Sequence, residues 1–203
     1  MDERLRPYLQ NIPLTQDIPT DVTTILEAYN YKKVATHVGE VAAEISRLAT
    51  MCNAAQNLAL AGWLHDISAI IPNAKRVQLS HHFGLEVLPE ERQVPMLLHQ
   101  KLSAVMAKEV WGITDTQILS AIACHTTLKA NAAQADKIMF LADKISWDQA
   151  GTPPYLDGLL TALADGLDTA VFYFLHYLWQ RKDKLQVVHP YFVEAYQDVM
   201  RHS

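Results

Sequence analysis

Apolar residues recur along most of the chain at the three- and four-residue intervals that align them on one helix face. Val34, Val38, Val41, Ile45 and Leu48 form one such stripe, and Ile118, Ala121 and Ile122 begin another. Alternating runs of β-branched residues, the mark of half-buried strands, are absent. Residues able to cap a helix N-terminus stand ahead of three stretches: Asn53 before 54–64, Thr114 before 115–124 and Asp168 before 169–179. Breakers separate the periodic segments at Ile71-Pro72-Asn73, across 84–95, at Trp111-Gly112, across 128–131 and at Gly151-Thr152-Pro153-Pro154. The pattern predicts an all-α, single-domain helical bundle of eight to ten helices, with any functional site lying between helices.

A chain of 203 residues, 50% hydrophobic and 19% charged, is long enough to bury a core without staples. Its formal charge of -5, with no run of Lys and Arg, excludes the extended positive field that a nucleic-acid polymer needs. A small anionic substrate stays open, because a bound metal can supply positive charge locally. Cys52 and Cys124 fall in no metal or redox spacing and read as core residues of a reducing, cytoplasmic compartment. The start, MDERLRPYLQ, is too charged for a signal peptide, and the most apolar run, 171–178, is too short to cross a membrane. The aromatic stripe Phe172, Phe174, Tyr177 and Trp179 is expected either to pack internally or to build a homodimer face.

Chemistry concentrates in a few of the nine histidines. His65 and Asp66 close the segment LALAGWLHD, where an apolar helix carries two metal-capable side chains toward the interior. Stranding an unpaired Asp there costs on the order of several kcal/mol, so a cation should meet it. A bare dipeptide also allows a simpler reading, with Asp66 as a cap and His65 packed on Trp63. His37 in ATHVGEVAAEI and Asp143 in IMFLADKI repeat the anomaly of an ionisable group inside an apolar helix. Two imidazoles and two carboxylates make a mixed N/O set that suits Fe, Mn, Zn or Co. His99 in PMLLHQKLSAVMA and His125 in ILSAIACHTT could serve a second ion, with Asp66 as the bridge.

The order His37, His65-Asp66, Asp143 resembles the HD-domain metal-dependent phosphohydrolases. WLHDI, the LLH ending at His99, the HTT of His125, Thr126 and Thr127, the FLAD ending at Asp143, and the late LDTAVFYFLHYL followed by His189-Pro190 together resemble the YqeK-type subgroup. That subgroup comprises symmetrical bis(5′-nucleosyl)-tetraphosphatases, which split diadenosine tetraphosphate into two ADP. The resemblance runs from about Tyr31 to Met200, which sets 31–203 as the helical domain and 1–30 as an N-terminal segment packed on it. It implies two divalent transition metal ions, usually iron. His37, His65, Asp66 and Asp143 would hold one, and His99, His125 and the shared Asp66 the other. It also implies hydrolysis by a hydroxide bridging the metals, with His65 and Asp66 at its centre.

Several positions depart from the subgroup. Ala69 stands where it has Lys, Glu40 where it has Arg, and Gln100 and Leu128 where it has Gly. Ser146-Trp147-Asp148-Gln149 replaces a Glu-Pro-x-Arg segment. The metal ligands are kept while cationic contacts to a polyphosphate are lost, and such contacts are the strongest anchors for phosphate. Lys101, Lys129, Thr126 and Thr127 are the candidate substrate contacts in their place. The alternatives are an HD hydrolase acting on another nucleotide or phosphoester, and a non-catalytic module that binds a metal or nucleotide for regulation.

Overall fold

The stripe that begins at Val34 folds as a twenty-residue helix, Lys32–Met51, whose buried face carries Ala35, Val38, Val41, Ala42, Ile45, Leu48 and Ala49. His37 shares that face, so the spacing that builds the core also carries an imidazole inward. The computed structural model describes residues 2–9, 11–147, 149 and 151–202, and Asp148 of the divergent segment lies outside them. Among the described residues there are twelve α-helices and no strand. In chain order they are α1 (Arg6–Leu9), α2 (Ile18–Ala28), α3 (Lys32–Met51), α4 (Ala59–Leu64), α5 (Asn73–His82) and α6 (Pro89–Gln93). Then follow α7 (His99–Trp111), α8 (Thr116–Cys124), α9 (Gln134–Ile145), α10 (Leu156–Asp165), α11 (Leu167–Trp179) and α12 (Pro190–His202). The fold class is as expected, and the count exceeds eight to ten because α1 and α6 are single turns of four and five residues.

The helix α6 lies inside the expected break at 84–95. Pro89 opens it and Glu90 and Glu91 occupy its first turn, which complements the helix dipole over a stretch too short to show apolar periodicity. Two expected caps shift, by one and by two residues. Asp115 rather than Thr114 caps α8, accepting from the backbone N–H groups of Gln117 and Ile118, and Asp168 lies within the first turn of α11. Asn53 caps nothing: it turns the chain after α3 at φ 53°, and α4 begins only after a 3-10 turn at Gln56–Leu58.

The packing puts α3 against α2, α4 and α9, with α8 between α7 and α9, while α10, α11 and α12 form a further group joined to α9 through α11. Leu5, Leu9, Val22, Ile25 and Leu26 from the first thirty residues are buried in the same cluster as the stripe of α3. Phe174 is buried against Phe140 and Tyr155, and Trp179 stacks on Tyr196 at 4.6 Å, so this part of the aromatic stripe packs within the chain. No described helix is long and apolar enough to cross a membrane.

The tightest approach of a glycine to another helix's backbone is at Gly62 of α4, where a β-carbon would stand 2.6 Å from the backbone N and Cα of Ala42. Only hydrogen fits there, and this lets α4 lie directly on α3. The carboxylate of Asp21 makes another long-range tie. It accepts from the N–H and hydroxyl of Thr15 at 2.6 and 2.8 Å, the N–H of Gln16 at 3.1 Å and the indole N–H of Trp111 at 3.0 Å. Burial pushes its pKa up, but the hydrogen bonds from Thr15, Trp111 and Gln16 outweigh burial and leave it below the ordinary carboxylate value.

Asp21→Asn is expected to cost about 1–3 kcal/mol, because an amide presents a donor to groups that are themselves donors. The wild-type contribution is present above the unfolded pKa and is lost as pH falls through the lowered folded one. Urea unfolding at about pH 7 and about pH 3 should therefore show a stability gap between the two proteins that narrows in acid.

Candidate metal centre

Six side chains from five segments converge at one end of the bundle. His37 comes from the buried face of α3, and His65 and Asp66 from the end of α4. His99 opens α7, His125 closes α8, and Asp143 lies near the end of α9. The four imidazoles pack in a row, His37 to His65 to His125 to His99, with ring centroids 5.2, 4.8 and 4.8 Å apart.

Three of these rings have their tautomer set by the backbone. Nδ1 of His65 donates to the carbonyl of Gly62 at 2.7 Å, Nδ1 of His99 to that of Met96 at 2.7 Å, and Nδ1 of His125 to that of Ile122 at 2.8 Å. A carbonyl only accepts, so Nδ1 carries the proton and Nε2 keeps its lone pair. Each tether reaches back three residues, where a helix end leaves carbonyls within reach of the ring. Gly62 therefore serves twice, by letting α4 approach α3 and by holding His65.

The carboxylates face these lone pairs. Asp143 Oδ1 lies 3.1 Å from His37 Nε2 and 3.7 Å from His65 Nε2. Asp66 is shared. Its Oδ2 lies 3.6 Å from His65 Nε2, and its Oδ1 lies 3.4 Å from His99 Nε2 and 3.7 Å from His125 Nε2. Ligand atoms of His37, His65 and Asp143 fall within 4.8 Å of one another, as do those of His65, Asp66 and His125.

Two features fit a bound cation. Nε2 of His65 is buried with no hydrogen-bond partner. Nε2 of His99 and Nε2 of His125 stand 2.9 Å apart, although both rings have spent their proton on a carbonyl. Two facing lone pairs repel unless positive charge offsets them. An extra proton is disfavoured: burial lowers the pKa of His99, and burial followed by His65 and His99 lowers that of His125 well below the ordinary histidine value. Burial alone would raise the carboxyls, yet neighbouring groups win. His65, His99 and His125 hold Asp66 at about 2, and Lys144 and His37 hold Asp143 well below the ordinary value. Neutral imidazoles beside two ionised carboxylates form the donor set of a divalent transition metal.

The site opens into a cleft of about 210 Å³ lined by His37, Asp66, His99, His125, Thr126, Asp143, Lys144, Trp147 and Tyr155. Of the four candidate substrate contacts only Thr126 lines it, with Oγ1 3.1 Å from His99 Nε2. Thr127 is buried, and its hydroxyl donates to the carbonyl of Leu128. Lys101 and Lys129 do not line the cleft. Lys101 pairs with the buried Glu91 at 2.8 Å, and Lys129 with Asp136 at 3.1 Å and with Ser120. Both stand on the faces of their segments turned toward other carboxylates, where an ion pair offsets the cost of burial.

The cation at the cleft is Lys144, bonded to Asp143 Oδ2 and to the carbonyl of His125. Its place beside Asp143 was visible in the sequence. Arg76 carried no such signal. Its buried guanidinium donates to the carbonyls of Ile71, Met96 and Ser68, and so ties the segment after Asp66 to the carbonyl that holds His99.

An all-helical bundle with a His-Asp pair at the hub of four histidines and two aspartates defines a class, and comparison with known proteins agrees. The HD domain family model matches residues 34–148, and the chain belongs to the HD-domain family. An uncharacterized protein in the pepC 5′ region of Lactococcus lactis subsp. cremoris is 49% identical over 140 residues, 69% of this chain and 71% of that protein. A bis(5′-nucleosyl)-tetraphosphatase, symmetrical, from Staphylococcus aureus is 31% identical over 88 residues, 42% of this chain and 44% of that protein. A probable nicotinate-nucleotide adenylyltransferase/Ap4A hydrolase from Mycoplasma pneumoniae is 31% identical over 85 residues, 42% of this chain and 24% of that protein. Among solved structures, a predicted HD superfamily hydrolase involved in NAD metabolism from Clostridium acetobutylicum superposes with a TM-score of 0.83 at 27% identity. The match covers 91% of this chain and 97% of that one.

Asp66→Ala removes the carboxylate shared by both halves, so elemental analysis should find bound divalent metal at least halved. A chelator should lower the melting temperature of the wild type and leave the variant nearly unmoved; equal responses would count against a metal centre. Gly62→Ala should cost about 1–3 kcal/mol through overpacking against α3, read by thermal melting, and reduce metal content by displacing His65.

Proposed function

We propose that this HD-domain hydrolase cleaves a phosphoanhydride bond of a nucleotide, with diadenosine tetraphosphate split into two ADP as the specific reaction. The observation that carries the reading is the convergence of four imidazoles, three of them with Nε2 deprotonated, and two ionised carboxylates, with Asp66 facing both halves. His37, His65, Asp143 and Asp66 would hold one divalent ion, and His99, His125 and the other oxygen of Asp66 a second, with Fe, Mn, Co or Zn suiting the donors. When bound, two such ions would supply Lewis acidity, lower the pKa of bound water toward about 7 and draw charge from the phosphoryl oxygens.

The chain's own residues have defined tasks. The carbonyls of Gly62, Met96 and Ile122 keep Nε2 of His65, His99 and His125 deprotonated and aimed. Asp66 orients both halves of the site. The ammonium of Lys144 and the hydroxyl of Thr126 stand at the cleft, where they can donate to phosphoryl oxygens as charge builds on them. Support for the substrate comes from the Staphylococcus and Mycoplasma relatives, whose names state a tetraphosphatase and an Ap4A hydrolase activity. The Clostridium protein's link to NAD metabolism is a further nucleotide context.

A second reading, an HD hydrolase acting on another nucleotide or phosphoester, is favoured by Ala69 and the exposed Glu40, which bring no positive charge where the resembled subgroup has Lys and Arg. Iron- or manganese-loaded protein should release ADP from diadenosine tetraphosphate faster than phosphate from a mononucleotide panel. Turnover confined to the mononucleotides selects the second reading. Turnover of neither by metal-loaded protein favours a regulatory module. Lys144→Ala should raise KM at least about tenfold, the value of one lost charge-assisted contact, with metal content unchanged.

A further inference from the structure

We infer that Gln100 is a positioning residue that sets the spacing of the His99 and His125 half of the centre; the inference rests on the metal reading of the site. Gln100 follows His99 in α7, and its side chain is fully buried. Its Oε1 accepts the backbone N–H of Thr126 at 3.1 Å, and its Nε2 donates to Thr127 Oγ1 at 3.3 Å. Thr127 in turn donates to the carbonyl of Leu128 at 2.9 Å. The amide next to one imidazole therefore grips the turn that follows the other.

The Nδ1 tethers do not do this. Met96 holds His99 and Ile122 holds His125, each within its own segment, so neither tether fixes one segment against the other. Apolar packing between α7 and α8 is non-directional and tolerates small sliding. A buried bidentate amide is directional and does not. The separations that matter, 2.9 Å between the two Nε2 atoms and 3.4 and 3.7 Å from them to Asp66 Oδ1, depend on that register.

Leu128 completes the device. It is 1% exposed and holds φ 58°, a left-handed conformation that a β-carbon disfavours, so the turn needs outside restraint. Its buried side chain and the Thr127 link to Gln100 provide it. Residues 100 and 128 are the two places where the resembled subgroup has glycine, and here they meet through Thr127. The hydrogen bonds of Gln100 and Thr127 run to the turn after His125, on the His99 and His125 side, so their loss should affect that half of the centre and spare the other.

The test uses Mn²⁺ alone as probe, with calorimetric titration and electron paramagnetic resonance on wild type, Gln100→Met and Gln100→Glu. Methionine keeps the volume and removes the amide, while glutamate keeps an acceptor for the Thr126 N–H. Gln100→Met is expected to melt cooperatively and bind its first Mn²⁺ like wild type. Its second Mn²⁺ should bind about ten- to a hundred-fold more weakly, the range for losing a hydrogen bond behind a ligand shell. The coupled two-ion spectrum should give way to that of isolated ions, and Gln100→Glu should recover most of the affinity. Two Mn²⁺ bound by Gln100→Met as in wild type, or equal weakening at both halves, overturns the inference. Wild type binding no Mn²⁺ overturns the metal reading itself, and this inference with it. Should Gln100→Met not fold, hydrogen exchange on wild type decides: slow exchange at the Thr126 amide supports the clamp, and exchange at the rate of an open turn overturns it.

Discussion

Half-buried negative charge facing buried imidazoles is the constraint around which this bundle is arranged. Two carboxylates, Asp66 and Asp143, remain ionised beside His99 and His125, which burial keeps neutral, and Lys144 is the cation beside Asp143 at the cleft. Such a site is costly in an empty bundle, because like groups are held together out of water. The proposed ions turn that cost into a binding site. The helices hold the donors at the required spacing, so much of the organisation is complete before a ligand arrives.

The support behind the donors is as specific as the donors themselves. Three histidines donate Nδ1 to a carbonyl three residues back, and the carbonyl of Met96 is further held by Arg76. Gly62 lets α4 touch α3, and Gln100 binds the turn after His125. These groups are buried, and several act through backbone atoms.

The cleft shows how charge is allocated. Lys101 and Lys129 look available in the sequence because they adjoin His99 and the HTT segment. Each instead pays its desolvation with a carboxylate elsewhere, Glu91 or Asp136, and Lys144 takes the position at the cleft. Adjacency along a helix does not mean adjacency in space, since neighbouring residues point about 100° apart around the axis.

The helical class, the breaks at Pro72 and Gly112, and the six residues that converge around Asp66 were all legible in the sequence. Amphipathic spacing is a local property, and an ionisable group inside an apolar helix is conspicuous wherever it falls. The helix α6 and the exact caps were not, because a single turn carries too little periodicity and Asp115 competes with Thr114 over one residue. The sequence by itself determined which side chains are forced inward, since the 3.6-residue repeat of α3 carries His37 inward with Val38 and Val41. Only the tertiary structure decided which of them meet, that Asp66 faces both halves, and that Arg76, Gln100 and Lys144 join the site. Those outcomes depend on the register between helices far apart in the chain, which packing and buried hydrogen bonds set and no local pattern records.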